Sequence, residues 1–401
     1  MQLKLAKTAS EIKASAVREI LKLTQHDDVI SFAGGLPAEE FFPAGDLQKA
    51  FERVFQQGNK VLQYGLTEGH PPLRDDIRQR LIKKDINVNV EDVLLTTGSQ
   101  QAIDLLAKVY LEPGDVVLTE NPTYLAALQA FKYYSVNIVA VESDSQGMIP
   151  EDLLAKIKQY QPKLAYVTPT FANPTGIVWS EERRLALLDA CAHHDVLILE
   201  DDPYGDIKFH QDETYPSLFT LGKQAGFHGV IYTSTFSKTV VPALRIGWVC
   251  GHRQIVQAMT RAKQATDLHS SSIDQQALHS LINHFDLDGH IQNIAAEYRR
   301  RMQHMMRLLA ALPSHQVHFV EPKGGMFLWL ELPAEIDADV LLQSAVKAGV
   351  AFVPGTEFYA GNPRRNTLRL NFSHTNAQRM TVGMNRLNDA ITSFLKSDAV
   401  I

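Results

Sequence analysis

The sequence predicts an α/β fold, in which a mostly parallel central sheet is flanked by helices and a smaller α+β domain follows it. Between about residues 46 and 290, short apolar runs bounded by turn residues alternate with helical stretches. These runs lack polar alternation, so we expect their sheet to be covered on both faces. The 401 residues, 45% of them hydrophobic, suffice for two or three domains.

The elements follow in order along the chain. Apolar residues at helical spacing predict a helix over residues 8–24, and the Gly/Pro-rich segment Ser31-Phe-Ala-Gly-Gly-Leu-Pro37 ends this N-terminal arm. Predicted strands of the large sheet begin at Val93, Val116, Asn137, Leu164, Val196, Val230 and Ile246. Later elements are a helix from Tyr298 to Leu312 and strands Phe327-Leu-Trp-Leu-Glu-Leu and Thr367-Leu-Arg-Leu-Asn-Phe. We assign residues 1–45 to an arm joining the small domain, 46–290 to the large domain and 291–401 to the small C-terminal domain.

Composition and charge exclude several classes of protein. A net charge of −6 without a basic cluster argues against nucleic-acid binding. No stretch of eighteen apolar residues occurs, which argues against membrane spanning, and the N-terminus lacks the apolar core of a secretion signal. The basic first twenty residues are compatible with an organelle transit peptide, but their helical pattern favours a folded helix. Cys191 and Cys250 lack metal-ligand spacing, so we expect reduced thiols in a cytoplasmic protein.

One lysine, Lys238, stands among hydroxyl residues between two predicted strands, with Arg245 seven positions later. A lysine so placed could form a Schiff base while its neighbours grip a phosphate, which is what pyridoxal phosphate (PLP) chemistry requires. The alternative is a solvated surface lysine, the commonest state of this residue type.

Polar residues follow the other predicted strands, at the edge where an open α/β sheet binds ligands. Gly98-Ser99-Gln100 opens a helix and could cradle a phosphate, although Ser99 could simply cap that helix. Tyr124 could stack on a cofactor ring or merely pack. The turn at Asn173-Pro174 could present the Asn173 amide inward, or could be only a turn.

Three successive carboxylates, Glu200-Asp201-Asp202, end another apolar strand. Burying a carboxylate is costly unless a cation pairs with it, and a protonated pyridine nitrogen would be such a cation. Helix capping and metal ligation are the alternatives. Metal catalysis is disfavoured, because His193 and His194 are adjacent and no HExxH or CxxC spacing occurs. We therefore predict no metal site.

Taken together, these residues resemble, in order and spacing, the class I/II aminotransferases of PLP fold type I. The resemblance is carried by Tyr64, Gly98-Ser-Gln, Tyr124, Asn173-Pro-Thr-Gly, Asp201-x-x-Tyr204, Ser237-Lys238, Arg245 and Thr367-Leu-Arg369-Leu. It covers nearly the whole chain and implies a seven-stranded large sheet. The segments around Arg18, Ile30 to Pro37, Leu62-Gln-Tyr-Gly and Pro322-Lys-Gly-Gly-Met-Phe327 are most similar to the 2-aminoadipate and kynurenine aminotransferase branch.

The resemblance implies a role for each matched residue. Lys238 would form the Schiff base and carry the proton, Asp201 would pair with the pyridinium nitrogen, and Tyr124 would stack on the ring. The remaining cofactor contacts would be Asn173 and Tyr204 at the ring oxygen and Ser99, Gln100, Thr235, Ser237 and Arg245 at the phosphate, with Tyr64 reaching it from the neighbouring subunit of a homodimer. Substrate would meet Arg369 at its α-carboxylate, together with Asn173, Gly35 and Arg18.

Two of these assignments have open alternatives in the residues themselves. Arg369 lies on an alternating strand, where a charge in solvent would be the ordinary interpretation. Arg18 could approach the distal carboxylate of a substrate or form ion pairs on the surface of its helix. Thr235 stands where relatives often have serine, which keeps the hydroxyl.

The implied reaction is ping-pong transamination between an L-amino acid, of 2-aminoadipate, aromatic or branched-chain type, and a 2-oxo acid such as 2-oxoglutarate. A carbon–sulfur lyase or a decarboxylase on the same scaffold is the alternative, because the lysine and ring contacts do not select the bond that breaks. A PLP-sensing transcription regulator is a remote alternative, since the chain begins almost directly at the Arg18 arm.

Overall fold

The computed structural model describes residues 3–11, 16–23, 28–312 and 317–398. The helices in these ranges are α1 (Lys7–Glu11), α2 (Ala16–Leu23), α3 (Ala44–Phe55), α4 (Pro71–Ile82), α5 (Ser99–Tyr110), α6 (Leu125–Tyr133), α7 (Pro150–Tyr160), α8 (Glu181–His193), α9 (Leu218–Gln224), α10 (Arg253–Thr266), α11 (Ser272–Ile282), α12 (Leu287–Leu309), α13 (Ala338–Lys347) and α14 (Ala377–Asp398). The strands are β1 (Ile30–Ser31), β2 (Val93–Thr96), β3 (Val116–Asn121), β4 (Asn137–Asp144), β5 (Gly147–Met148), β6 (Leu164–Val167), β7 (Leu197–Asp201), β8 (Val230–Thr235), β9 (Gly247–Cys250), β10 (Phe327–Glu331), β11 (Val350–Ala351), β12 (Val353–Pro354) and β13 (Thr367–Asn371).

The large sheet has the strand order β2-β9-β8-β7-β6-β3-β4-β5. Strands β4, β3, β6, β7 and β8 pair in parallel, whereas β9 runs antiparallel to both of its neighbours. The seven predicted strands are all present, and the mostly parallel sheet is confirmed. The eighth strand, β5, consists of two residues that fold back on β4, and it is too short to leave a pattern in the sequence.

The absence of polar alternation in these strands has a direct structural cause. Leu197 and Leu199 of β7 pack into one apolar cluster with helices α5 and α10, while Ile198 between them packs into a second cluster with α7 and α8. Every residue of β7 is buried, as is every residue of β2, β6, β8 and β9. Helices therefore cover the sheet on both faces, as a parallel sheet requires.

The chain after α12 forms the smaller α+β part. Strands β10, β13 and β12 make an antiparallel sheet, and α12, α13 and α14 pack against it around a core that includes Met302, Met305, Met380 and Met384. The two predicted strands are confirmed, whereas the helix predicted from Tyr298 to Leu312 begins earlier, at Leu287, and ends earlier, at Leu309. The limits proposed for the three domains stay predictions.

The N-terminal arm contacts the C-terminal part of the chain. Strand β1 pairs in parallel with β11, with Ile30 opposite Val350. The helix predicted over residues 8–24 corresponds to α1 and α2, and its residues 12–15 and 24 lie outside the described residues. Across the described ranges, no helix is both long and apolar enough to cross a membrane.

Candidate active site

The predicted site residues gather where the strands of the large sheet end. Because parallel strands share one carboxyl edge, the loops after β2, β3, β6, β7 and β8 converge there. Lys238, Arg245 and Arg369 lie close enough that the charges of the two arginines lower the pKa of the lysine. The charge of Arg369 also affects the pKa of Tyr124 and of Tyr204, so both tyrosines lie nearby. The structure thus brings together residues as far apart in the sequence as Tyr124 and Arg369, which are separated by 245 positions.

Lys238 follows β8 in a short turn, and its amine lies inside the cleft. Its Nζ donates a hydrogen bond to the carbonyl oxygen of Gly35 in the N-terminal arm, at 2.8 Å. Burial, together with the positive charges of Arg369 and Arg245, lowers the pKa of Lys238 to about 8. A substantial fraction of this amine is therefore neutral near physiological pH, which a nucleophile or base requires.

Asp201 is the last residue of β7 and is 2% exposed. One carboxylate oxygen accepts a hydrogen bond from the Tyr166 hydroxyl at 2.8 Å, whereas Oδ1 is buried without a partner among the described residues. Burial raises the pKa of Asp201 to about 7; the Tyr166 bond opposes this rise and the neighbouring Asp202 adds to it. A buried acceptor of this kind calls for a donor, preferably a charged one.

The other two carboxylates of this run have different partners. Glu200 accepts from the backbone N–H groups of Leu218 and Phe219, so the helix-capping alternative is correct for this residue. Asp202 accepts from the Tyr232 hydroxyl at 2.7 Å and lies 3.8 Å from the Lys84 amine. Of these three carboxylates, only that of Asp201 retains a buried oxygen without a partner among the described residues.

A cradle for an anion forms where α5 begins. Gly98 precedes the helix with φ of +76°, and Ser99 is the first helical residue, so the interpretation of Ser99 as a capping residue is wrong. A Cβ on Gly98 would come within 2.6 Å of Arg245 Nη2. The guanidinium lies against the bare backbone of Gly98, where backbone N–H groups and a positive charge face the same space.

Hydroxyl groups complete this cradle. Arg245 Nη1 donates to Ser237 Oγ at 3.3 Å, and the Ser237 hydroxyl lies 2.9 Å from that of Thr235. Thr235 also accepts from the Ser237 backbone N–H, at 3.1 Å, and is itself buried. The Gln100 amide donates to the carbonyl oxygen of Ala126 at 3.1 Å, which places this side chain between α5 and α6.

Arg369 lies in the interior and not in solvent, so the interpretation of an exposed charge on β13 is wrong. The side chain is 2% exposed and donates to Asn173 Oδ1 at 2.7 Å and to the Ala33 carbonyl oxygen at 2.6 Å. Its guanidinium carbon lies 4.2 Å from the ring centre of Phe327 and 5.0 Å from that of Phe358. Burial lowers the pKa of Arg369 to about 10, which keeps the guanidinium charged at neutral pH.

Asn173, Tyr124 and Tyr204 line the same cleft. Asn173 is 6% exposed and Tyr204 is 5% exposed, and Asn173 lies close enough to the Tyr204 hydroxyl to lower its pKa. Burial raises the pKa of both tyrosines, that of Tyr124 to about 12, so both hydroxyls stay protonated and remain donors. The Asn173 amide points inward, as the turn at Asn173-Pro174 predicts.

The remaining candidates lie at the margins of the cleft. Gly35 contributes its carbonyl to Lys238, and a Cβ on Gly35 would lie 3.2 Å from the Phe327 ring. Tyr64 is 79% exposed and does not join the other candidates within this chain. Arg18 is exposed on α2, whose Ile20 packs beside Ala33 and Phe358, and the described part of the chain gives Arg18 no ion pair.

Several residues of the site were not predicted from the sequence. Tyr166 lies inside β6 and resembles any other buried aromatic residue, and Phe327 and Phe358 have no spacing that links them to Arg369. The carbonyl groups of Ala33 and Gly35 belong to the backbone, so no side-chain type in the sequence indicates their contacts. Among the described residues, no group of three or more His, Cys, Asp or Glu side chains could hold a metal ion.

Comparison with known proteins places this geometry in context. Residues 28–387 match the family model described as aminotransferase class I and II. An aromatic-amino-acid aminotransferase of Thermococcus litoralis is 38% identical over 96% of this chain and 93% of its own length.

Two solved structures are similar over nearly their whole length. An alpha-aminoadipate aminotransferase of Thermus thermophilus, complexed with N-(5'-phosphopyridoxyl)-L-leucine, superposes with a TM-score of 0.90 at 36% identity and covers 99% of this chain and 98% of its own. A kynurenine aminotransferase of Pyrococcus horikoshii gives a TM-score of 0.92 at 38% identity, over 98% of this chain and 97% of its own.

Proposed function

Because this chain belongs to the aminotransferase class I and II family, it is a PLP-dependent aminotransferase, and we propose 2-aminoadipate, aromatic and branched-chain L-amino acids as its donors and 2-oxoglutarate as its acceptor. Support for these donors comes from the names of similar proteins, which include aromatic-amino-acid, alpha-aminoadipate and kynurenine aminotransferases. The observation that carries the proposal is the convergence of Lys238, Asp201 and Arg369 in one cleft.

Three features of the cleft fit PLP. Lys238 offers an amine with a pKa of about 8, Asp201 offers an unpaired buried oxygen, and Gly98 lets the Arg245 guanidinium lie against the backbone where α5 begins. When bound, PLP supplies an electron sink and carries the amino group from one substrate to the other. Every other part of the reaction depends on how the residues of this chain bind and orient the cofactor and the substrate, and on how they move protons.

We assign the proton transfer at the substrate Cα to Lys238. A base works best when its pKa lies near the working pH, and burial beside two arginines brings Lys238 to about 8. The Gly35 carbonyl oxygen orients the amine by accepting a hydrogen bond from it. The same lysine is the covalent anchor for the cofactor.

The ring of the cofactor would be held by four side chains. Asp201 would accept a hydrogen bond from the pyridinium N–H at its free Oδ1, and Tyr166 donates to the other carboxylate oxygen. Asn173 and Tyr204 would donate to the ring oxygen, and Tyr124 would stack on the ring. An ionised Asp201 favours the protonated ring, because opposite charges stabilise one another at short range.

The phosphate would lie in the cradle at the start of α5. Ser99, Gln100, Thr235, Ser237 and Arg245 are the proposed ligands, and the hydrogen bonds among Thr235, Ser237 and Arg245 already orient three of them. Arg245 supplies a charge that pairs with a dianion more strongly than neutral donors do.

Arg369 would bind the α-carboxylate of the substrate. A guanidinium offers two parallel N–H donors to a carboxylate, and Phe327 and Phe358 restrict its position. Asn173 and Gly35 would complete this subsite, since both already contact Arg369 or Lys238.

We further propose a cytoplasmic homodimer in which Tyr64 of each subunit reaches the phosphate of the other. A tyrosine that is 79% exposed, with Leu62 and Leu66 also more than half exposed beside it, supports a surface that another subunit covers. The cytoplasmic assignment is supported by Cys191 and Cys250, which are free and buried.

A panel of amino donors tests the proposal, with 2-oxoglutarate as acceptor and with wild type compared to Arg18→Ala. We expect 2-oxo acids from acidic, aromatic and branched donors, together with the pyridoxamine form of the cofactor. Pyruvate with ammonia or a thiol as the main products would contradict transamination and support a lyase. An unchanged preference of Arg18→Ala for acidic donors would remove Arg18 from the substrate site.

A further inference from the structure

Lys263 on α10 is a buried cation to which the proposed mechanism gives no role. Its side chain is 0% exposed, and its Nζ donates to Gln101 Oε1 at 2.7 Å, to Asp267 Oδ2 at 2.8 Å and to Ser270 Oγ at 3.0 Å. An ammonium has three N–H donors, so all of them are used. Burial lowers the pKa of Lys263, while the hydrogen bond and the charge of Asp267 act against that.

Gln101 connects this ammonium to the loop that begins the phosphate cradle. Gln101 Oε1 also accepts from the Thr97 backbone N–H at 2.8 Å, and its Nε2 donates to Asp267 Oδ2 at 2.7 Å. The Thr97 hydroxyl lies 2.8 Å from that of Ser270. The backbone and the side chain of Thr97 are thus both held by groups that Lys263 orients.

Thr97 directly precedes the cradle. Its carbonyl oxygen accepts from Arg245 Nη2 at 3.4 Å, and the next residue is Gly98. A shift of Thr97 would therefore move both Arg245 and the backbone at the start of α5. This path leads from Lys263 to the phosphate ligands through two side chains.

The turn at residues 267–270 also contacts the chain segment that carries Tyr64. His269 Nε2 accepts from the Gly65 backbone N–H at 3.2 Å. Gln275 joins the Ser270 carbonyl, at 2.8 Å, to the His70 backbone N–H, at 2.7 Å. One turn therefore contacts both chain segments that are proposed to reach a cofactor phosphate.

We propose that Lys263 is a positioning residue whose ion pair with Asp267 fixes residues 97–101, which lead into the first turn of α5, and so orients Ser99 and Arg245 toward the cofactor phosphate. This inference rests on the proposed phosphate role of the cradle. Asp201 ends β7 and Tyr124 follows β3, and the hydrogen bonds of Lys263, Gln101 and Thr97 reach neither residue, so loss of Lys263 acts mainly on the phosphate end. The consequence is selective: retention of a phosphorylated cofactor depends on Lys263, and retention of an unphosphorylated one does not.

The test compares cofactor release from three variants of the full-length protein, each reconstituted with PLP or with pyridoxal, which lacks the phosphate. Lys263→Met removes the ammonium, and Gln101→Met removes the link to Thr97 but leaves the ion pair. Lys108→Met is the matched control, because Lys108 also joins α5 to α10, through the Thr266 hydroxyl at 3.0 Å, but from an exposed position. Release is followed by the visible absorbance of the cofactor after dilution.

We expect Lys263→Met to speed PLP release about tenfold or more, the effect of losing one charge-assisted hydrogen bond, and to leave pyridoxal release within about twofold. Gln101→Met should act in the same direction, which keeps the test valid if Lys263→Met fails to fold. Lys108→Met should change neither rate.

An equal acceleration for both ligands, or none for either, would overturn the positioning role. A wild-type protein that holds pyridoxal as firmly as PLP would overturn the proposed cradle itself, and the inference with it. The two failures are distinguishable, because the second appears without any substitution.

Discussion

Two lysines of this chain, the half-buried Lys238 and the buried Lys263, have opposite surroundings. Lys238 has a backbone carbonyl as its hydrogen-bond acceptor and two arginines as its charged neighbours. Lys263 has a carboxylate, an amide oxygen and a hydroxyl around its ammonium. The same type of side chain is thus a reactive amine at position 238 and a structural ion-pair partner at position 263.

The difference shows what determines the chemistry of a buried lysine. Burial lowers the pKa of both, but only Lys263 has a carboxylate that opposes this effect. An amine without a counter-charge becomes a base and nucleophile near neutral pH, whereas a paired ammonium keeps its proton and its geometry. Neighbouring charge, and not burial alone, distinguishes the two roles.

The largest expected effect comes from Lys238→Ala. Turnover should fall about 10⁴-fold or more, because the variant loses both the covalent anchor and the general base. The absorption band of the lysine-linked cofactor should disappear while the protein stays folded. Single-turnover kinetics and absorbance spectra measure both, with Lys108→Met as the control. A variant that kept the band and normal activity would contradict the assignment.

The next effect concerns the charge that surrounds Lys238. In wild type lacking cofactor, the rate of PLP capture should rise about tenfold per pH unit below about pH 8 and level off above it, because only the neutral amine attacks. Arg369→Leu removes a neighbouring positive charge, so the pKa of Lys238 should rise and the whole profile should move to higher pH. Stopped-flow absorbance from pH 6 to 10 measures the shift. An unmoved profile would mean that Arg369 does not influence the amine.

The smallest effects are on stability, and they should have opposite signs. The folded pKa of Lys238, about 8, lies below the unfolded value of about 10.4, so the unfolded state binds more protons between these values and stability rises with pH there. At pH 7, below both pKa values, the full cost of keeping a proton on the Lys238 amine in the folded state is present, and Lys238→Met should stabilise the cofactor-free protein by about 1–2 kcal/mol.

Asp267→Asn leaves the Lys263 ammonium without its counter-charge and should destabilise the folded protein by about 1–3 kcal/mol. Thermal melting of both variants compares them, and shifts of equal sign would remove the distinction between the two lysines.

The fold was predictable because the sequence patterns that indicate its strands are local. Strands buried on both faces must be apolar throughout, so runs such as those at Val93 and Leu164 could be recognised without knowledge of their neighbours. The polar residues after these strands were recognisable for the same reason, since each interrupts an apolar run. The two-residue strand at Gly147 has no such run and was not predicted.

The parts of the site that escaped prediction depend on distant contacts. Lys263 lies on an amphipathic helix, where a lysine is ordinarily solvated, and only the packing of α10 on α5 buries it. The carbonyl groups of Ala33 and Gly35 carry no residue-specific signal, so their bonds to Arg369 and Lys238 could not be inferred from sequence. Ser99 was interpreted as a possible cap because side-chain type does not distinguish the residue before a helix from the first residue within it.

The bond between Arg369 and Ala33 joins positions 336 residues apart, and β1 likewise pairs with β11. At a synthesis rate of about 5–20 residues per second, the arm leaves the ribosome roughly 15–70 s before its partners exist. The large sheet is complete once β9 has emerged, with Lys238, Asp201 and Arg245 in place. During translation, therefore, Lys238, Asp201 and Arg245 are made before Arg369, and the arm cannot dock until β11 and β13 have emerged.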